Sequence, residues 1–131
     1  MTTVIYHNPA CGTSRNVLAA IRATGTEPVV IDYRNDGWTR AQLLGLFAAA
    51  DITPHDALRT FKTRAAELGL PDADGDPVIA AMVDDPVLVN RPFVCTPRGV
   101  ALCRPASKLL PLLEIQPDGP LLKDDGTPLL G

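Results

Sequence analysis

An α/β fold is what this sequence predicts, and three observations predict it. Two short apolar runs, residues 3–7 and 29–31, flank a stretch with helical periodicity. A second pair of strand-like runs, Phe93-Val94-Cys95 and Val100-Ala101-Leu102, is separated only by Thr96-Pro97-Arg98-Gly99. Everything between the two pairs reads as helix or turn. A chain of 131 residues that is 46% hydrophobic can fill one core but not two, so a single domain is expected.

Each element has its own justification. Residues 3–7 suit a buried strand, and Asn8-Pro9 breaks it. Val17, Leu18 and Ile21 recur at helical spacing, and Gly25 stands where a C-terminal cap is wanted, so residues 13–24 read as a helix. Val29-Val30-Ile31 follows as a second buried strand, parallel to the first because a β-α-β crossover joins them. Thr39 is a suitable N-cap for a helix carrying Leu43, Leu44, Leu46 and Phe47 and ending near Asp51. Residues 53–85 give short helices broken by Pro54, by Gly69-Leu70-Pro71 and by the loop 72–77, with 78–83 the last of them. Residues 106–113 close the fold as a helix. The domain thus spans residues 1–115 with a helical insertion at about 39–86, and 116–131, rich in Pro, Gly and Asp, reads as a loosely held C-terminal tail.

Charge and cysteine usage exclude several classes. A net charge of −3 gives no electrostatic reason to expect nucleic acid as a partner. No apolar run is long enough for a membrane span, and residues 1–6 lack the features of a signal peptide, which points to the cytoplasm. Cysteines at 11, 95 and 103 form neither a disulfide framework nor a zinc-ligand spacing. A reducing compartment suits them.

Cys11 lies between the first strand and the first helix, in His7-Asn8-Pro9-Ala10-Cys11-Gly12-Thr13-Ser14-Arg15-Asn16. Unpaired N–H groups and the positive end of the macrodipole lower the pKa of a thiol there, and the same donors can bind an oxyanion. Gly12 lets the backbone approach closely, Thr13 or Ser14 can cap, and Arg15 adds a planar donor fork. His7, at the end of a strand, can face the thiolate and stabilise it, or simply pack. Asn8 and Ser14 can hydrogen-bond the loop or the sulfur. With Arg98-Gly99 as the hairpin turn, Cys95 faces Leu102 and Cys103 faces Val94, on opposite sides of the sheet, so the two do not bridge. Position 14, where a resolving cysteine would complete Cys-x-x-Cys, holds Ser14. An oxidised Cys11 therefore needs a thiol from outside.

The Cys11 loop, with Gly25-Thr26-Glu27-Pro28, Asn90-Arg91-Pro92 and Thr96-Pro97 through Leu102-Cys103-Arg104-Pro105, resembles the glutaredoxin-coupled arsenate reductase (ArsC) family of the thioredoxin-like superfamily. The landmarks run in the family's order over residues 3–115. The resemblance implies a thioredoxin-like mixed sheet of about four strands and a cis Pro92 facing Cys11. It also implies an oxyanion site built from Cys11 and three arginines, Arg91, Arg104 and Arg59, with Arg64 close enough to compete with Arg59. His7 would act on the Cys11 pKa, through Ser14. Arsenate reduction would then pass through a thiol-arsenate adduct at Cys11, resolved by glutathione as co-substrate and by glutaredoxin, with no bound metal or flavin. Two other readings share this pattern: an Spx-like redox-responsive regulator, whose loop usually has the second cysteine that Ser14 replaces, and a YffB-like glutathione-dependent thiol reductase, in which the two arginine-proline strings would be lost.

Overall fold

The structure, a computed structural model, describes residues 2–130. The first residue of the expected domain and the last of the expected tail lie outside the described residues. The chain divides into two compact units: one joins the chain up to Asp32 with the chain from Arg91 onward, and the other is Tyr33–Asn90.

The first unit holds β1 (Val4–His7), α1 (Gly12–Ala23), β2 (Val29–Asp32), β3 (Phe93–Thr96) and β4 (Gly99–Leu102), followed by a 3₁₀ segment, Ala106–Leu112. The four strands form one mixed sheet in the order β2-β1-β3-β4. β1 runs parallel to β2, with Val4 opposite Val29, as a crossover through α1 requires. It runs antiparallel to β3, with Ile5 opposite Val94. Ile5, Val94 and Cys103 from the sheet side, Val17 and Ile21 from α1, and Leu109 from the 3₁₀ segment make a shared core. Burial of that apolar surface is what fixes α1 on the sheet.

Three expectations change here. β2 is not buried: it is an edge strand, and Val29 and Val30 are exposed. The hairpin turn is Pro97-Arg98, with Thr96 opposite Gly99, so Cys95 faces Val100 and Phe93 faces Leu102. Each partner moves by two residues, a shift that keeps the pleat in phase, so Cys95 still lies on the opposite face from Val94 and Cys103. The closing helix is a 3₁₀ segment, and Pro111 lies inside it, where an α-helix would bring the proline ring against the carbonyl four residues back. After Gln116, Leu122 bridges Pro128, Leu129 N–H donates to the Leu121 carbonyl at 2.9 Å, and Leu121, Leu129 and Leu130 pack against the core.

The second unit holds α2 (Tyr33–Asp36), α3 (Arg40–Ala50) and α4 (Asp76–Asp84). Thr39 caps α3 through a reciprocal capping box with Gln42, and Asp51 ends it in the left-handed conformation, φ 56°. Leu43, Phe47, Val78, Ile79 and Met82 are buried, and the Tyr33 and Trp38 rings stack at 5.2 Å. The short helices expected in the first part of residues 53–85 are turns instead. Local side-chain bonds compete with a helical ladder there: Asp56 and Thr53 each accept from the other's backbone N–H, and the Thr63 hydroxyl donates to the Arg59 carbonyl. Among the described residues no helix is long and apolar enough to cross a membrane.

Candidate active site

The loop between β1 and α1 closes on itself. Asn8 Oδ1 accepts from the Ala10 N–H at 2.9 Å, the Asn8 carbonyl accepts from the Cys11 N–H at 3.0 Å, and Arg15 reaches back to the Pro9 carbonyl at 2.9 Å. These bonds turn the chain sharply after the strand and leave Cys11 at the N-cap of α1, its carbonyl taking the first helical bond from Arg15 N–H. Thr13 and Ser14, the expected caps, lie inside the first turn instead. Ser14 is fully buried and its hydroxyl oxygen accepts from the Asn8 N–H at 3.0 Å while lying 2.6 Å from His7 Nδ1. His7 thus meets Ser14.

Cys11 is buried, and burial alone pushes its thiol pKa up. Hydrogen bonding from Arg91, from the Ser14 backbone N–H and from Arg104, together with the Arg91 charge, outweighs that and lowers it from 9.0 to about 7. Arg104 Nη1 stands 3.6 Å from Cys11 Sγ and also donates to the Arg91 carbonyl at 3.1 Å, so one guanidinium ties the thiol to the backbone of the other arginine. Both arginines are half-buried, and each precedes a cis proline, Pro92 and Pro105. The other two thiols behave oppositely: burial raises the pKa of Cys95, and pushes that of Cys103 up to about 12. Cys11 is the thiol that ionises near neutrality.

Of the residues singled out in the sequence, the first unit brings His7, Cys11, Gly12, Thr13, Ser14, Arg15, Arg91 and Arg104 into one region. A Cβ added at Gly12 would meet only Arg15, at an ordinary 3.8 Å, so nothing in the fold itself demands glycine there. Arg59 and Arg64 belong to the second unit. There the Arg59 guanidinium lies over the exposed Phe61 ring at 5.6 Å, while Arg64 is exposed and paired with Glu67 at 3.0 Å. Sequence reasoning missed the Arg104 contact to the Arg91 carbonyl and the second cis bond, although the repeated Arg-Pro dipeptide was a visible signal for the latter.

A buried thiol with a pKa of about 7, at a helix N-terminus and beside two guanidinium groups, can attack an electrophilic oxyanion centre while the arginines hold its oxygens. Residues 6–111 match the ArsC family. The chain is 59% identical over 125 residues to arsenate reductase ArsI2 of Synechocystis sp., covering 94% of this chain and 89% of that protein. It is 47% identical over 132 residues to an arsenate reductase of Rhizobium meliloti, covering 99% and 94% of the two. Among solved structures it superposes on an arsenate reductase from Vibrio cholerae with a TM-score of 0.80 at 32% identity, covering 86% of this chain and 98% of that one, and shares its thioredoxin-like fold. By family match, by sequence identity along nearly its whole length and by fold, this chain belongs to the ArsC family.

Proposed function

We propose that this chain is an arsenate reductase that uses Cys11 as its nucleophile and thiols from outside the chain as electron donors. The observation that carries the reading is the Cys11 sulfur, with a pKa of about 7, held 3.6 Å from the Arg104 guanidinium. The names of its relatives support the same substrate.

The proposed steps balance as follows. The Cys11 thiolate attacks arsenic(V), an S–As bond forms, and one arsenate oxygen leaves as water after accepting protons. A small thiol, glutathione, condenses on the same arsenic in the same way and a second water leaves. A third thiol, on glutaredoxin, attacks the glutathione sulfur: a disulfide forms, the S–As bond breaks with its electron pair remaining on arsenic, and arsenic(V) becomes arsenic(III). Water then cleaves the remaining S–As bond, freeing arsenite and the Cys11 thiol. Two thiols are oxidised for one two-electron reduction. Arg91 and Arg104 hold the anion through charge-assisted hydrogen bonds, Gly12, Thr13 and Arg15 line the anion cradle at the helix start, and His7 with Ser14 orders the loop that carries the sulfur. Arg59 enters as a third arginine from the family resemblance alone.

The test is arsenate-dependent NADPH consumption with glutathione, glutathione reductase and glutaredoxin. Cys11→Ser abolishes it, whereas Cys95→Ser and Cys103→Ser keep most of it. Equal losses in all three folded variants would show an internal thiol relay and overturn the scheme.

A further inference from the structure

The proposed reaction needs a small thiol to approach the arsenic held at Cys11, and the chain has no cysteine placed to substitute for it: Ser14 occupies the resolving position, Cys103 is buried in the core, and Cys95 stands opposite Val4, at the other end of β1 from the Cys11 loop. A cavity of about 370 Å³ opens beside the first turns of α1, within the first unit. Its polar lining is Thr13, Asn16, Arg104 and Lys123, and its apolar walls include Pro105 and Leu129. We propose that this cavity seats a small thiol bearing carboxylate groups, the co-substrate of the Cys11 reaction. The inference rests on the arsenate reductase reading and deepens it.

Three observations converge on that ligand. Arg104 is shared: its side chain lines the cavity while its Nη1 lies 3.6 Å from Cys11 Sγ, so a molecule seated there is one guanidinium away from the reacting sulfur. The lining carries two cations and no carboxylate. Asp125 lies outside the lining, its Oδ1 already taken by the Thr127 N–H at 3.0 Å and hydroxyl at 2.6 Å, and those bonds, with a smaller contribution from Lys123, hold its carboxyl below the usual range. The wall is also built, because Lys123 N–H donates to the Thr127 carbonyl at 2.7 Å and the Leu122–Pro128 bridge next to it holds Lys123 and Leu129 at the cavity. The volume falls within the range of small-molecule sites, about 300–1,000 Å³, and a tripeptide thiol with two carboxylates suits two cations, a hydroxyl and an amide. The polypeptide after residue 116 would then supply one of the two cations and part of the wall of a co-substrate site.

The experiment has two arms. In the first, thiol dependence is measured at saturating arsenate and glutaredoxin for wild type and Lys123→Glu, with glutathione and with uncharged 2-mercaptoethanol. The expected result is a rise of about fivefold or more in KM for glutathione, with arsenate KM and the 2-mercaptoethanol dependence unchanged. In the second, Cys11→Ser protein is titrated with S-methylglutathione, which cannot react, and backbone amide shifts are followed by NMR. Saturable shifts at Thr13, Asn16 and Lys123 that weaken in Cys11→Ser/Lys123→Glu are expected. An unchanged glutathione KM in an active Lys123→Glu enzyme, or shifts confined to other residues, overturns the cavity assignment and leaves the reductase reading standing. Saturable binding to Cys11→Ser protein, with a wild-type protein that itself turns over no arsenate, would overturn the reading of the reaction instead.

Discussion

The ionisation of Cys11 can be tested directly by alkylation with iodoacetamide against pH. With a pKa of about 7 in place of the ordinary 9.0, about half of the thiol is ionised at pH 7, against about 1% for an unperturbed one. That roughly fifty-fold gain is partly cancelled, because a thiolate of lower pKa is a weaker nucleophile: with a Brønsted slope of about 0.45, two units cost about eightfold. The net acceleration at pH 7 is therefore only about sixfold, and the midpoint of the profile, not the rate at one pH, is the decisive observable. One equivalent of label is expected between pH 6 and 8.5, since the pKa values of Cys95 and Cys103 are raised by burial. In Arg104→Lys the donor 3.6 Å from the sulfur is displaced and the midpoint moves upward. A wild-type midpoint near 9, or labelling of two thiols at pH 7 in folded protein, would refute the account of an activated Cys11.

The arginines and the helical unit give further outcomes. Arg91→Lys and Arg104→Lys lower kcat/KM for arsenate by about tenfold or more, the scale of one charge-assisted hydrogen bond of about 1.5–3 kcal/mol, while Arg98→Lys in the exposed turn is silent; steady-state kinetics decide it. In the same assay Arg59→Lys lowers kcat/KM, with Arg64→Lys as the control that separates the two candidates. Thr39→Ala removes one half of a reciprocal capping box and costs about 1 kcal/mol in urea denaturation, with little effect on Cys11 alkylation.

The elements that could be read from sequence are those whose pattern is local. The loop around Cys11 was legible because a strand end, a Pro and a helix start follow one another within ten residues, and the capping box of α3 was half visible in Thr39. What failed was set at a distance. Val29 and Val30 have the composition of a buried strand, and only the sheet order, which leaves β2 without an outer neighbour, exposes them. The hairpin register depended on which two residues form the turn, a choice that Pro97-Arg98 and Arg98-Gly99 offer about equally on paper. The turns of residues 53–69 follow from hydroxyl and carboxylate bonds to the backbone that hydrophobic periodicity does not register. Within the site, Arg91 and Arg104 were legible through their family strings, whereas Asn16 and Lys123 meet only when the end of the chain folds back beside α1.

Ser14 sits at the centre of a proton count. Its oxygen accepts from the Asn8 amide, which leaves one lone pair and a single hydrogen to share with His7 Nδ1 at 2.6 Å. With a bare Nδ1 the imidazole takes that hydrogen and the hydroxyl has none to offer elsewhere. When Nδ1 carries a proton, the direction reverses: the oxygen accepts twice and its own hydrogen is released to turn toward whatever acceptor is nearby. Ser14 is fully buried, so the orientation of its hydroxyl is tied to whether Nδ1 of the ring beside it carries a proton. A proton placed on Nδ1 of His7, by a change of tautomer or of charge, therefore reorients a hydroxyl dipole inside the first turn of α1.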